Sequence, residues 1–86
     1  MEFEFDPAKS AINRQKHGID FEEAQVLWKD DNRFELAGQF NGEPRNLVIG
    51  RIGDKCWTAV IAYRDARIRL ISVRRARELE VACYEG

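Results

Sequence analysis

Apolar and polar residues alternate along most of this chain, and the rhythm turns helical in three places. Phe3 and Phe5 alternate with Glu2 and Glu4, which predicts a short opening strand. Asp6-Pro7 then reads as an N-cap and first helical position, since proline has the right φ there and lacks only an N–H that would go unpaired anyway. Ala8, Ala11, Ile12 and Gln15 make the inward stripe of that helix, Lys9, Asn13 and Lys16 or His17 the outward polar one, and Gly18 stops it. Asp20 opens a second helix, with Glu23 three residues on as an aspartate version of the capping box and Ile19 placed to staple against Ala24. Phe21, Ala24, Leu27 and Trp28 form its apolar face, and Lys29-Asp30-Asp31-Asn32 ends it.

Strands follow. Phe34, Leu36 and Phe40 alternate with Arg33, Glu35 and Gln39, and Asn41-Gly42 signals a hairpin, because both residues tolerate positive φ. Leu47-Val48-Ile49 and Cys56 to Ile61 are apolar on both faces, as central strands are, and join around Gly53-Asp54. Arg64-Asp65-Ala66 turns into Arg67-Ile68-Arg69-Leu70, with Ile68, Leu70 and Ser72 on one face and Arg67, Arg69, Ile71 and Val73 on the other. From Arg74 the period becomes helical, with Ala76, Leu79 and Cys83 on one stripe and Arg77, Glu80 and Tyr84 beside it. The expected fold is α+β: an antiparallel sheet of four to five strands packed by two N-terminal helices and one C-terminal helix. Residues 1–86 make one domain, since a chain this short holds a single modest core.

Net charge is −1, which argues against a general nucleic-acid binder, but its distribution is uneven. Residues 1–43 carry ten acids and five bases, and residues 44–86 carry nine bases and five acids. That asymmetry points to an interaction surface in the second half, for a polyanion or an acidic protein. No apolar run is long enough to cross a bilayer and the N-terminus is acidic rather than signal-like, so a cytoplasmic protein is expected. Cys56 and Cys83 stand alone, without metal-ligand spacing, and read as reduced core thiols, with a disulfide as the alternative. Trp28, Trp57 and the phenylalanines read as core.

The chemistry left open is that of arginine and phosphate. There is no Gly-rich phosphate loop, no metal-ligand pattern and no Ser/His/Asp set, because Ser10 and Ser72 are the only serines and His17 the only histidine. Six arginines (Arg64, Arg67, Arg69, Arg74, Arg75, Arg77) crowd into residues 63–85. Guanidinium groups bind phosphate bidentately and stay charged. RNA can be cut without a metal when its own 2′-hydroxyl attacks the adjacent phosphorus. The protein must then supply cations for the phosphorane oxygens, a base and an acid. Glu80, His17 and Tyr84 are candidates for the last two, and Glu80 and Tyr84 are four apart on one helix. The same arginines equally fit a solvated face, with Arg74–Glu78 and Arg77–Glu80 as helix-surface pairs. His17 in the last turn equally fits a helix-dipole role.

Two segments carry a resemblance: Lys16-His17-Gly18-Ile19 with Phe21, Glu23 and Ala24, and Arg69 with Ile71-Ser72, Arg74-Arg75-Ala76, Glu80 and Tyr84. Together with Asp6-Pro7-Ala8-Lys9 and Asn13, they resemble the BrnT toxins, small ribonucleases of bacterial type II toxin–antitoxin systems related to the RelE group. The resemblance implies a RelE-like sheet, metal-independent RNA cleavage that blocks translation, and no cofactor. It also implies a cognate antitoxin with a ribbon-helix-helix DNA-binding domain in a 2:2 complex, so that DNA is met only through the antitoxin. By position, Arg64, Arg69, Arg74 and Arg77 would surround the scissile phosphate. Lys16, His17, Arg67 and Arg75 would hold RNA, and Glu80 and Tyr84 would transfer or orient protons. Two other readings use the same arginines: a non-catalytic module gripping an acidic partner or RNA, and a degenerate toxin that keeps only its antitoxin interface.

Overall fold

The structure, a computed structural model, describes residues 2–86. Five strands, β1 (Glu2–Glu4), β2 (Phe34–Phe40), β3 (Glu43–Ile52), β4 (Lys55–Arg64) and β5 (Arg67–Arg75), form one sheet in the order β1-β5-β4-β3-β2. Helix α1 (Pro7–His17) follows β1, a 3-10 helix spans Glu23–Lys29, and α2 (Glu78–Glu85) ends the chain. The α+β class is as expected, but the sheet is mixed. β1 lies parallel to β5 with Glu2 opposite Arg67 and Glu4 opposite Arg69, while the other three pairs are antiparallel. The parallel pair joins the first strand to the last, so no hairpin signal announces it.

Local signals set the helix starts. The Asp6 carboxylate accepts the Ala8 N–H at 2.9 Å, and Gly18 ends α1 at φ 80° with its N–H on the Arg14 carbonyl. The second helix is 3-10 rather than α. The Asp20–Glu23 box forms just ahead of it, with the Glu23 N–H donating to Asp20 at 2.8 Å, while the helix itself starts at Glu23 without a side-chain cap. The turns then tighten to i→i+3 bonds, Gln25 to Glu22 and Asp30 to Leu27. Three residues per turn stack Ala24 directly on Leu27, and both are wholly buried.

Two faces run opposite to the sequence pattern. On α1 the buried residues are Ser10 and Asn13, while Ala8, Ala11, Gln15 and Ile12 (51% exposed) face solvent. The reason is polar docking. The Ser10 hydroxyl accepts the Phe21 N–H, and the Asn13 amide bonds both the N–H and the C=O of Val73 as well as the Ile19 C=O. β1 pairs only with residues 67–69 of β5, so the Asn13 side chain completes the ladder where the neighbouring strand stops. On α2, Leu79 is 82% exposed and Cys83 is also exposed, whereas Glu80 is buried.

β5 runs on through Arg74 and Arg75 rather than breaking into a helix. The register slips by one residue, from Leu70 opposite Ile61 to Ser72 opposite Val60. Ile71 is therefore a bulge, and Val73 instead of Ser72 joins Ile68 and Leu70 in the core. That core lies between one face of the sheet and the chain from Ile19 to Leu27, with Val48, Ala59 and Trp57 on the sheet side. Phe5 packs edge-on to Phe21, and Phe3 edge-on to Trp28. Phe34 and Phe40 are not core: Phe40 is 67% exposed.

Candidate functional site

Residues opposite one another in a ladder share a face. Val48, Ala59 and Val73 face the core, so Leu47-Val60-Ser72, Thr58-Arg74 and Ala62-Arg69 face the other way. At one end of this second face α2 covers the sheet. The rest is an open groove of two adjoining hollows, with a third beyond it at the end of the sheet. A trough of about 410 Å³ is lined by Gly38, Phe40, Leu47, Val60 and Ile71, with Arg45 at its rim. Ile71 and Ser72 also floor a cleft of about 180 Å³ whose far bank is Lys9, Ile12, Lys16 and His17 of α1. Arg45, ion-paired to Glu43 at 2.7 Å, is shared with a third hollow of about 330 Å³ bordered by Glu43, Asn46, Tyr63 and Arg64. The floor of the trough is apolar, and Lys9, Lys16 and His17 stand across the adjoining cleft.

β5 puts the arginines on this face through its alternation. Arg69 and Arg74 flank the bulged residues Ile71 and Ser72, and Arg64 and Arg67 stand opposite each other where β4 turns into β5. Each is held differently. Arg69 donates to the Glu4 carboxylate at 2.9 Å, and Arg67 lies 3.8 and 3.9 Å from Glu2 and Glu4, so the parallel strand β1 acts as an acidic rail for both. Arg64 makes no ion pair among the described residues.

Arg74 makes a bidentate pair with Glu80, both bonds 2.8 Å. This pair replaces the helix-surface pairs expected between Arg74 and Glu78 and between Arg77 and Glu80. The Glu80 carboxylate also accepts from the Thr58 hydroxyl at 2.9 Å and from the Arg77 N–H at 2.8 Å. Arg74, then the Arg77 and Thr58 hydrogen bonds, hold its pKa down to about 2 against the opposing effect of burial. Glu80 is thus ionised and saturated at neutral pH, a poor proton acceptor. Its partner Arg74 is driven further toward the charged form by that same bond. Arg74 spends three N–H donors on Glu80 and the Arg75 carbonyl, and keeps two of its five for another acceptor.

The remaining predicted residues divide. Lys16 and His17 line the cleft beside Ile71 and Ser72. Arg77 is exposed at the head of α2. Arg75 sits opposite Trp57 on the core side of the sheet, its guanidinium 5.6 Å from the Trp57 ring. Tyr84 does not meet Glu80. Its hydroxyl donates to Asp30 at 2.6 Å, which raises the phenol's pKa, and so pins α2 to the loop after the 3-10 helix. Asp30 accepts the Arg51 N–H with the same oxygen.

Sequence reasoning missed Lys9, Arg45 and Ser72. Lys9, Asn13 and Lys16 fall on one helical stripe, a signal that reads as an ordinary wet face until β5 is seen beside it. Among the described residues no three His, Cys, Asp or Glu side chains form a group able to hold a metal ion.

Compared with known families, residues 5–80 match the model described as "Ribonuclease toxin, BrnT, of type II toxin-antitoxin system". No curated protein matches the chain.

Proposed function

Because the chain belongs to the BrnT family of ribonuclease toxins of type II toxin–antitoxin systems, we propose that it cuts RNA in the groove over β5, without a metal ion, and thereby inhibits translation. In this reading the 2′-hydroxyl oxygen attacks the adjacent phosphorus and the bond to the 5′-oxygen breaks. Cleavage leaves a 2′,3′-cyclic phosphate and a 5′-hydroxyl. The observation that carries it is the placement of Arg69 and Arg74 on one face, either side of the Ile71–Ser72 bulge, with Lys16 and His17 on the opposite bank.

Charge grows on the non-bridging phosphate oxygens as the phosphorane forms, and fixed cations stabilise it most there. Arg69 and the two uncommitted donors of Arg74 supply them. Arg64, Arg67, Lys16 and Arg77 take flanking phosphates. His17 is the proton-transfer group, since it is exposed on the cleft. Glu80 orients Arg74 rather than accepting a proton, and Tyr84 fixes α2. Arg75 stays with Trp57.

Family membership gives the toxin a cognate protein antitoxin. We take it to carry a ribbon-helix-helix domain and to form a 2:2 complex, through which alone the toxin meets DNA.

The test is to digest RNA with antitoxin-free protein in excess EDTA and identify the ends. Undiminished cleavage with 2′,3′-cyclic or 3′-phosphate ends is expected. Products with 5′-phosphate and 3′-hydroxyl ends, or activity abolished by chelation, would overturn the mechanism.

A further inference from the structure

The outer edge of β2 is unguarded. β2 ends the sheet order, so one side of its backbone has no strand partner. Edges are normally protected by lysine, proline, a bulge or a covering loop. β2 pairs with β3 in unbroken register from Phe34–Ile49 to Phe40–Glu43, and its sequence FELAGQF contains neither lysine nor proline. Its one charge, Glu35, is occupied by the Asn46 amide at 2.7 Å and the Tyr63 hydroxyl at 2.6 Å.

The turn fixes which groups point outward. Asn41 and Gly42 both have positive φ, 53° and 78°, making the two-residue turn in which the flanking pair Phe40–Glu43 is hydrogen-bonded. Bonded and non-bonded pairs alternate, so Glu35, Ala37 and Gln39 aim their N–H and C=O groups away from β3. Leu36, Gly38 and Phe40 present their side-chain positions to the open face, and Gly38 leaves a gap in the trough wall. A Cβ there would meet only the Arg45 carbonyl oxygen, at 3.6 Å.

We propose that an extended segment of the antitoxin adds to β2 as a sixth strand and drops an apolar side chain past Gly38 into the trough between Phe40, Leu47 and Val60. Arg45 already carries Glu43 at 2.7 Å, so acidic residues of that segment would meet Lys9 and Lys16 across Ile71 and Ser72. Charge decides the occupant: a second copy of this chain would bring the same cationic face, whereas an acidic strand complements it. The inference rests on the toxin reading, which supplies the antitoxin.

Ala37→Pro tests it. The substitution removes an outward N–H and blocks strand addition, yet touches no bond to β3. The probe is the protein encoded by the reading frame adjoining this chain's own, titrated against wild type, Ala37→Pro and Phe40→Ser. Both variants should bind it about tenfold or more weakly, a loss matching one hydrogen bond or one buried anchor. Partner-free Ala37→Pro should cut RNA at the wild-type rate. Equal binding by wild type and Ala37→Pro overturns the proposal. So does no binding by wild type, or a wild-type dimer that Ala37→Pro alone dissolves. Cleavage by wild type without the partner tests the nuclease reading by itself, so the two can fail separately.

Discussion

Glu80 couples the last helix to the sheet through one carboxylate, which accepts four hydrogen bonds, from Thr58, from Arg77 and two from Arg74. Its folded pKa of about 2 lies below the ordinary 4.5, chiefly because of Arg74. A depressed carboxylate stabilises the fold at any pH above its unfolded pKa, and that stability is lost as pH falls toward the folded value. The window is therefore pH 4.5 down to about 2. That depression sets a ceiling of about 3 kcal/mol on what the ionised carboxylate contributes. Glu80→Gln should accordingly be less stable than wild type near pH 7, and the gap should close through that window. Urea midpoints at pH 7, 4 and 2.5 measure it. A gap that stays constant down to pH 2.5 would mean that shape, not charge, makes Glu80 valuable.

Among the elements, α1 shows best what the sequence could and could not reveal. Asp6-Pro7 and Gly18 bound it where local chemistry said they would, because capping is decided within one turn. Its buried face was not legible. Asn13 looks like a surface residue by type, and only the bare edge of β5, sixty positions away, gives its amide two of its three backbone partners, the third being the Ile19 carbonyl. The same distance hid the parallel β1 strand and the Ile71 bulge, since both depend on which strand lies alongside. The apolar stripe of Phe21, Ala24 and Leu27 was read correctly although the helix is 3-10, because positions three apart align in either form. At the candidate site, the arginines were visible as a cluster. The division of Arg74 from Arg75 onto opposite faces needed the strand to continue, and the helical signal concealed that. Asn13→Ala should leave the Val73 N–H and the Val73 and Ile19 carbonyls unsatisfied. Each buried group costs about 1–3 kcal/mol, so a loss of at least about 2 kcal/mol is expected in urea unfolding. A loss below about 0.5 kcal/mol would place α1's anchorage elsewhere.

Across the whole molecule, the sheet separates two jobs. One face buries the core against residues 19–27, and the other holds a groove whose cations come from both ends of the chain, α1 and β5. This explains how a chain of net charge −1 presents a cationic surface: acids such as Glu4 and Glu80 are spent in holding arginines, so the cations are placed as well as present. Placement is what separates a nuclease from a binder. A lysine keeps the charge of Arg69 or Arg74 but loses the planar fork that spans two phosphate oxygens. If these groups stabilise the phosphorane, Arg69→Lys and Arg74→Lys act on charge that develops only in the transition state. Single-turnover cleavage should then fall by about one to three orders of magnitude while RNA affinity is nearly unchanged. A surface that merely grips a polyanion tolerates lysine, and alanine there weakens affinity and flattens its salt dependence by about one unit per lost contact. Arg75→Lys is the internal control: it removes a guanidinium one residue away from Arg74, but on the face with Trp57, and should cleave as wild type does. Lysine variants at 69 and 74 that match wild type, or a wild-type protein that never cleaves, would leave the groove as a docking surface only.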